Sequence, residues 1–377
     1  MAHREYLREL QTIILDIPLK RPHVMSFGSI TEVNFVLVRL VASSGLVGYG
    51  EVATLQGPTW SEESSESIKA TIDRYISPLL KDINLLEYKV VLNRIGSRIK
   101  GNPFAKAAVE FALLDLFGKH YQQPIYALLG GRFRDRVPLS WSLASGSLSK
   151  DLAEAREMMA KGITIFKAKA GADRLEADIE RIRAIRNELG DGISLRVDVN
   201  QGWDVPMATR AIFEMEDLGL DFCEQPLPKW DIEGLRELRK RSRTPIMADE
   251  SLNDMATGLE LIKKRAVDIF SIKLTKMGGL LEALNFYNLI QAAGLGTYIG
   301  CMIETCIGTS AYLQFAAAVP KLDYGCELFG PLLLTGDIGD QPIKYEKGSV
   351  CIPEGPGLGV HVDESLIEKY TRKKNHF

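Results

Sequence analysis

The sequence predicts an α/β protein in which a modified TIM-type (β/α)7β barrel is combined with an α+β capping domain. From about residue 137, short apolar segments alternate with amphipathic ones, which is typical of parallel βαβ units. About eight such units in roughly 200 residues favour a closed barrel over an open sheet. The chain has 377 residues and is long enough for one large domain and a smaller one.

The N-terminal part of the chain does not show this alternation. Two apolar segments separated by a Ser-Ser-Gly turn indicate paired strands, and segments with apolar residues at three- and four-residue spacing follow them. Strands followed by a run of helices indicate a separate α+β domain, so we assign residues 1–125 to a capping domain. The predicted strands include 35–38 and 48–52, and the predicted helices cover 62–82, 86–98 and 104–120.

We assign residues 126–344 to the barrel and 345–377 to a C-terminal segment that returns to the capping domain. Several of the amphipathic segments between the predicted strands end in glycine, as helices often do. The segment after the eighth strand lacks a clean amphipathic pattern, so we expect the eighth unit to be irregular. The eight predicted strands lie near 138–144, 164–169, 193–198, 219–223, 245–248, 268–273, 296–300 and 322–326.

Composition and charge exclude several classes of protein. The net charge of −3 gives no electrostatic case for binding nucleic acid or an anionic membrane. No apolar run approaches the ~18 residues of a membrane-spanning helix, and the N-terminal residues lack the apolar core of a signal peptide. Five cysteines are too few and too scattered for a disulfide framework and indicate a reducing compartment. We therefore expect a cytoplasmic protein.

Three acidic residues follow successive predicted strands at nearly constant spacing. Asp198, Glu224 and Asp249 are 26 and 25 residues apart, and about 25 residues suffice for one strand, one helix and two loops. Each unit would thus deliver one carboxylate to the C-terminal ends of the strands, where barrel active sites lie. Oxygen ligands suit Mg²⁺ or Mn²⁺ and not zinc. Taken singly, each acid could instead cap the following helix.

Lysines occur at the same predicted level of the barrel. Lys167 and Lys169 alternate along one strand and so point the same way, and Lys273 lies four strands further round, opposite Lys169. A neighbouring positive charge and a bound cation would lower the pKa of a lysine, which could then exchange a proton with carbon. The alternative is a pair of solvent-facing lysines at a frayed strand end. We interpret Lys276 as an ordinary helix-start or loop residue.

Further polar residues adjoin the three acids in sequence. We expect Asn200 and Gln225 to hold the metal ligands in place, and Glu250 to add a further carboxylate.

Six motifs stand out in the barrel region: FKAKAG (166–171), RVDVNQGW (196–203), EQPLP (224–228), PIMADES (245–251), SIKLTKMGG (271–279) and CELFGPLLLTGDI (326–338). Together they resemble the motifs of the enolase superfamily, muconate lactonizing enzyme (muconate cycloisomerase) subgroup, and the similarity covers nearly the whole chain. Two further segments, GNPFAKAAVEFALLDLFGK (101–119) and WSLASG (141–146), are similar to bacterial muconate cycloisomerases.

The resemblance implies an isomerase of aromatic-compound catabolism that acts on a small-molecule carboxylate. Mg²⁺ or Mn²⁺ would bind the substrate carboxylate and stabilise an enolate, the chemistry common to this superfamily. Lys169 would protonate the enolate carbon, Lys167 would assist electrostatically, and Lys273 would support the charge or act as a second acid/base from the opposite face. The resemblance also suggests a homo-oligomer, an octamer or a dimer.

Three more residues are implied to lie near the substrate. Glu327, in the CELFGP motif, would orient groups near the site. His23, in LKRPHVMSF, belongs to the region that resembles a substrate-covering loop. Trp60 belongs to the second covering loop, 54–64.

This sequence departs from the subgroup at positions that would contact the distal end of the substrate. Ala170 replaces a larger aliphatic residue, and Pro58-Thr59-Trp60 replaces a glycine-rich stretch with a tyrosine. The same site could therefore serve a racemase or epimerase of N-acylamino acids and related carboxylates, or an acid-sugar or hydroxy-acid dehydratase. Glu327 stands where dipeptide epimerases typically carry an Asp-x-Asp motif, which argues against dipeptides.

Overall fold

A computed structural model describes residues 4–373 of the chain. Within that range the strands form three sheets: an antiparallel sheet of three strands near the N-terminus, a parallel sheet of seven, and a small antiparallel sheet of three that includes C-terminal strands. No helix in the same range is long and apolar enough to cross a membrane.

The N-terminal sheet consists of β1 (Leu7–Met25), β2 (Gly28–Ala42) and β3 (Val47–Thr54), paired antiparallel in that order. The pairing of β1 with β2 shifts register between Pro18 and His23, so this part of β1 bends away from the regular ladder. Helices cover one face of the sheet. The predicted helix at 62–82 is divided into α1 (Ser65–Thr71), a π-helical turn (Ile72–Ile76) and a 3₁₀ turn (Ser77–Leu80), and α2 (Tyr88–Arg98), α3 (Pro103–His120) and α4 (Ile125–Leu128) follow.

Helix α3 packs directly against β3 because β3 carries two glycines. A Cβ at Gly48 would lie 2.2 Å from the Ala112 oxygen, and one at Gly50 would lie 2.1 Å from the Ala108 oxygen. Only residues without a side chain allow the helix backbone to approach so closely. Helix α3 is therefore buried almost all round, between the capping sheet and the barrel.

The seven parallel strands are adjacent in chain order, and helices lie between them. Helix α6 illustrates how these helices cover the sheet. Its buried residues recur at helical spacing, so one face packs on the strands; they include Leu175, Ile179, Ile182 and Leu189. The strands are β5 (Ser140–Leu143), β6 (Ile165–Lys169), β7 (Ser194–Asp198), β8 (Cys223–Glu224), β9 (Ile246–Ala248), β10 (Ile269–Ile272) and β11 (Gly296–Ile299), and the helices are α5 (Leu148–Ala160), α6 (Leu175–Leu189), α7 (Val205–Glu214), α8 (Ile232–Arg241), α9 (Met255–Lys264), α10 (Leu274–Met277), α11 (Leu280–Ala292) and α12 (Cys306–Ala318).

The eighth position of the barrel is not a strand, and in this respect the prediction for 322–326 was wrong. Only Cys326 forms bridges there, to Leu139 on one side and Ile299 on the other. Its carbonyl accepts a hydrogen bond from the Ser140 N–H at 2.8 Å, so a single residue closes the ring of strands. The helix after it, α13 (Gly330–Leu333), has four residues, in agreement with the predicted irregular eighth unit.

The C-terminal segment contacts both earlier parts of the chain. It contains β12 (Tyr345–Glu346), β13 (Ser349–Cys351) and α14 (Glu364–Tyr370), and β13 pairs with β4 (Arg136–Pro138) just before the barrel. Beyond α14, the Arg372 guanidinium lies 2.6 Å from Asp16 of β1. The last residues that the structure describes therefore lie against the N-terminal sheet.

Two buried glutamates of the N-terminal region cap barrel helices. Glu110 of α3 accepts the Leu281 N–H at 2.8 Å, at the start of α11, where the N-cap residue Gly279 has no side chain of its own. Glu51 of β3 accepts the Thr305 N–H at 3.0 Å, at the start of α12. Burial raises the pKa of each carboxyl to about 8. These contacts fix the capping helices and sheet on the barrel.

We predict that Glu110→Gln reduces the loss of stability with rising pH. The pKa of Glu110 is about 8 in the folded protein against an ordinary value of 4.5, so the folded state binds this proton more tightly. Its stabilising contribution is complete below the ordinary value and is lost as the pH rises through about 8. Glutamine keeps an acceptor for the Leu281 N–H and does not ionise. The measurement is the free energy of unfolding in urea at several values between about pH 5 and pH 8.

The matched control is Glu180→Gln on the exposed face of α6, which should leave the pH profile of the wild type unchanged. A Glu110→Gln profile that superimposes on that of the wild type would contradict the prediction.

Candidate active site

The three predicted metal ligands lie side by side at the C-terminal ends of neighbouring strands. Asp198 is paired in register with Lys169 on one side and with Glu224 on the other. Asp249 follows the last residue of β9. Each of the three side chains is about 1% exposed. The spacing in the sequence thus corresponds to one row of buried carboxylates at the mouth of the barrel.

Two lysines of β6 neutralise two of these carboxylates with their ammonium groups. The Lys167 Nζ lies 2.7 Å from Glu224, 2.6 Å from Glu327 and 3.3 Å from Asp198. The Lys169 Nζ donates to Asp198 at 2.7 Å and to the Asn200 side-chain oxygen at 2.8 Å. Both lysines point into the barrel mouth, and the alternative of solvent-facing lysines does not apply.

Two further lysines bind Asp249. Lys276 lies at a helix start as we interpreted it, in α10, but it is not an ordinary residue there. Lys273 donates to Asp249 Oδ2 at 2.8 Å, whereas Lys276 donates to Oδ1 and to the Asp249 carbonyl, each at 2.6 Å. Lys276 also donates to the Ser271 carbonyl at 3.1 Å and is only 3% exposed. Because α10 begins directly after Lys273, residues 273 and 276 lie on one face of a helical turn. Their three-residue spacing was the signal that could have identified Lys276.

Burial and neighbouring charges shift the pKa values of these carboxylates and lysines. Burial and the charge of Asp198 raise the pKa of Glu224 to about 8. Burial opposes ionisation of Asp249, but the ammonium groups of Lys273 and Lys276 hold its pKa well below the usual range. Burial disfavours the ammonium form of Lys167, but Glu224 and Glu327 raise its pKa well above the usual value; the lowered pKa was expected for a lysine beside a bound cation. Lys167 is therefore a fixed positive charge in this arrangement.

The carboxylate row fits a hard divalent cation chemically, although its side chains are not gathered around one. Across residues 4–373, no three Asp, Glu, His or Cys side chains already form a coordination sphere. The Glu224 pKa is nevertheless raised by both Asp198 and Asp249, so the three groups repel one another and need positive charge among them. Lysines supply that charge here. Buried oxygen donors of this kind suit Mg²⁺ or Mn²⁺, and Asp198, Glu224 and Asp249 remain the predicted ligands.

Asn200, Gln225 and Glu250 lie directly behind the row. Asn200 donates to Glu250 Oε1 at 3.0 Å while accepting from Lys169, and Gln225 accepts the Asp249 N–H at 3.0 Å. Burial and the charge of Asp249 raise the pKa of Glu250 to about 7. Asn200 and Gln225 have φ angles of 43° and 34°, a left-handed conformation that costs energy outside glycine. They link the ends of β7, β8 and β9.

A small chamber with a volume of about 30 Å³ lies above the row. It contains both covering-loop residues, His23 and Trp60, together with the predicted Glu327. Burial and the nearby Lys169 hold the pKa of His23 well below its usual value, so its ring is neutral. The chamber is lined by His23, Met25, Leu55, Trp60, Lys167, Lys169, Asp198, Asn200, Lys273, Cys301, Met302, Ile303, Glu327 and Phe329.

Trp60 separates this chamber from an outer cavity. Its indole ring lies over Lys273, with the Nζ 3.9 Å from the ring centroid, a cation–π contact. The outer cavity of about 460 Å³ shares Trp60 with the chamber and also borders Glu62 and Lys229, which form an ion pair between covering loop and barrel. Most of the predicted site residues therefore line one chamber, with Lys169 on β6 and Lys273 after β10 on different sides of the barrel. Glu224, Asp249 and Glu250 do not line it.

Two family models match the chain. The mandelate racemase/muconate lactonizing enzyme N-terminal domain matches residues 9–130, and the enolase C-terminal domain-like family matches residues 150–366. Together they cover most of the chain and confirm the resemblance identified in the sequence.

Curated relatives are similar over the full length. A chloromuconate cycloisomerase from Delftia acidovorans is 41% identical over 97% of this chain and 99% of its own length. Muconate cycloisomerase 1 from Acinetobacter baylyi is 40% identical over 97% of this chain and 99% of its own length.

Solved structures confirm the predicted fold class. A muconate lactonizing enzyme from Pseudomonas fluorescens, complexed with muconolactone, has a TM-score of 0.96 and 39% identity and covers 98% of this chain and 100% of its own. A 2-chloromuconate cycloisomerase from Rhodococcus opacus has a TM-score of 0.95 and 35% identity over the same shares.

We predict that Lys276→Met destabilises the fold by about 3 kcal/mol, because removing one partner of a buried ion pair leaves an uncompensated charge. Asp249 would lose the donor to Oδ1 and to its carbonyl. Urea-induced unfolding of variant and wild type measures the difference. Lys263→Met, at an exposed position of α9, is the control and should change the free energy of unfolding by less than about 0.5 kcal/mol. Equal effects of the two substitutions would contradict the prediction.

Proposed function

This chain belongs to the mandelate racemase/muconate lactonizing enzyme family, and on that basis we propose that it is a cycloisomerase that forms a lactone from cis,cis-muconate or a similar dicarboxylate in aromatic catabolism. The observation that carries the proposal is the position of Lys169 and Lys273 at one chamber, beside three buried carboxylates. The names of the full-length relatives support the same reaction.

We propose Mg²⁺ or Mn²⁺ as the cofactor, held by Asp198, Glu224 and Asp249. When bound, the cation would supply Lewis-acid stabilisation of the substrate carboxylate and of the enolate charge that develops on it. The buried oxygen donors and their mutual repulsion support this ligand set.

In the proposed reaction the distal carboxylate oxygen of the substrate adds to a carbon–carbon double bond, and Lys169 gives its proton to the enolate carbon. One C–O bond and one C–H bond form, and the double bond is consumed. The contacts of the Lys169 Nζ with Asp198 and Asn200 fix its position and orient its remaining proton. Such positioned proton transfer contributes about 10²–10⁴-fold to a rate.

Lys167 and Lys273 act as charges that do not move a proton in this reaction. Glu224 and Glu327 keep Lys167 an ammonium, and Asp249 raises the pKa of Lys273 against the effect of burial. Both positive charges face the chamber in which the negative charge of the enolate develops. Preorganised charge in an enclosed site stabilises such a state without reorganisation.

Racemisation or epimerisation of an N-acylamino acid, or dehydration of a hydroxy acid, is a second candidate. It is favoured by the lysines on both sides of the chamber, because one could remove an α-proton and the other return it. Incubation with a carboxylate library in D₂O discriminates between the candidates. We expect deuterium in a new lactone and not in recovered substrate; substrate recovered with deuterium at the α-carbon would favour the second candidate.

Localisation and oligomeric state are inferred from the family. We propose a cytoplasmic homo-oligomer, with an octamer or a dimer as the candidate states.

We predict that the purified protein with Mn²⁺ consumes cis,cis-muconate, and that Lys169→Ala lowers kcat by about 10²–10⁴-fold, because the proton donor is lost. The measurement is the decrease in ultraviolet absorbance of the diene. Treatment with a chelator should abolish turnover, and adding Mg²⁺ or Mn²⁺ should restore it.

Lys263→Ala, at an exposed position outside the site, controls for the loss of a lysine. If the wild type leaves the absorbance unchanged with either cation, cis,cis-muconate is not its substrate. If Lys169→Ala retains the wild-type kcat, the assignment of the proton donor is wrong.

A further inference from the structure

One wall of the chamber is formed by the loop that connects β11 to α12. Cys301, Met302 and Ile303 of this loop line the chamber. Ile303 has a φ of 62°, in the left-handed region that β-branched residues rarely adopt. Such a conformation costs energy and persists only where neighbouring contacts hold it. The wall therefore depends on a specific restraint.

Glu304 supplies that restraint from within the same loop. Its carboxylate Oε1 accepts the Met302 N–H at 2.7 Å, which closes a tight ring around Ile303. The side chain is fully buried. Burial raises the pKa of Glu304 to about 7, although the Met302 N–H and the charge of Lys273 both favour the ionised form. A hydrogen bond formed in so enclosed a place is costly to lose, because the N–H would have no water to replace the carboxylate.

The surroundings leave Glu304 no room to move. A Cβ at Gly330 would lie 2.1 Å from the Glu304 carbonyl oxygen, and one at Gly308 would lie 2.7 Å from the Glu304 Cβ. The next residue, Thr305, is held by Glu51 of the capping sheet. The restraint on the wall is thus anchored both in the barrel and in the N-terminal sheet.

We propose that Glu304 is a positioning residue that fixes the chamber wall at 301–303 against the substrate. Its carboxylate holds the Met302 N–H and thereby keeps Ile303 in the left-handed conformation. Glu304 itself does not line the chamber, and we assign its effect on the substrate to the wall. The kinetic part of this inference rests on the proposed function, whereas the structural part does not.

Cys301 reports the position of the wall without any substrate. Its thiol lines the chamber and is 8% exposed, whereas the side chains of Cys223, Cys306 and Cys326 are fully buried. Alkylation by iodoacetamide, followed by peptide-resolved mass spectrometry, gives a separate rate for each thiol. Cys351, which is more exposed, is replaced by serine in every protein compared.

We expect Glu304→Leu to raise the alkylation rate of Cys301 by about tenfold. The buried Met302 N–H would lose its acceptor, and the wall would open more often by about that factor. Glu304→Gln retains an oxygen for the Met302 N–H and should stay within about threefold of the wild type. If Glu304→Leu does not fold, Glu304→Asp takes its place, because its carboxylate is one methylene too short to keep the contact.

Two outcomes would overturn the proposal. One is an unchanged Cys301 rate in the leucine or aspartate variant. The other is an equal rise at Cys223, Cys306 and Cys326, which would mean that the whole fold opens and that Glu304 has no specific effect on the wall.

Steady-state kinetics separates positioning from general stability. With cis,cis-muconate we expect KM to rise about tenfold in Glu304→Leu, because the substrate loses a fixed wall, while kcat changes by less than about threefold, because the lysines keep their partners. Glu304→Gln should restore KM. A lower kcat in Glu304→Leu with no change in KM would contradict the proposed role. If the wild type does not consume muconate, the proposed function fails, but the alkylation result still decides whether Glu304 holds the wall.

Discussion

The repulsion between buried carboxylates at the mouth of the barrel is the constraint on which the rest of the site depends. Asp198, Glu224 and Asp249 are almost fully enclosed, and isolated negative charges in such a place would be severely destabilising. Parallel strands deliver them to one level, and inward-pointing lysines balance them. The same balance bears on the proposed chemistry, because a divalent cation held by the three acids would leave ammonium groups free to face a bound substrate.

Carboxylates have a second, structural use in this protein. Glu51 and Glu110 extend from the N-terminal region to the first turns of α12 and α11, where unpaired N–H groups and the helix dipole favour an acceptor. The capping region therefore contributes to barrel helices, and the barrel in turn holds the loops that cover the chamber. The two regions cannot be regarded as independent units.

Much of this arrangement could be predicted, because it follows from local periodicity. The strands that end in Lys169 and Asp198 are short apolar runs, and their side chains alternate along each strand, so both residues could be placed at the barrel mouth. The raised pKa of Lys167 could not be predicted, because it depends on Glu224 and Glu327, which lie 57 and 160 residues further along the chain. The closure of the barrel by Cys326 alone and the left-handed Ile303 also depend on contacts distant in sequence, which leave no local pattern.

The position of Trp60 has a consequence for the timing of turnover. Trp60 borders both the chamber and the outer cavity of about 460 Å³, and its ring lies over Lys273. We expect Trp60 or its loop to move away from Lys273 when substrate enters and again when product leaves. Each catalytic cycle then includes two opening events, and the frequency of loop opening sets an upper limit on the number of cycles per second, whatever the speed of proton transfer.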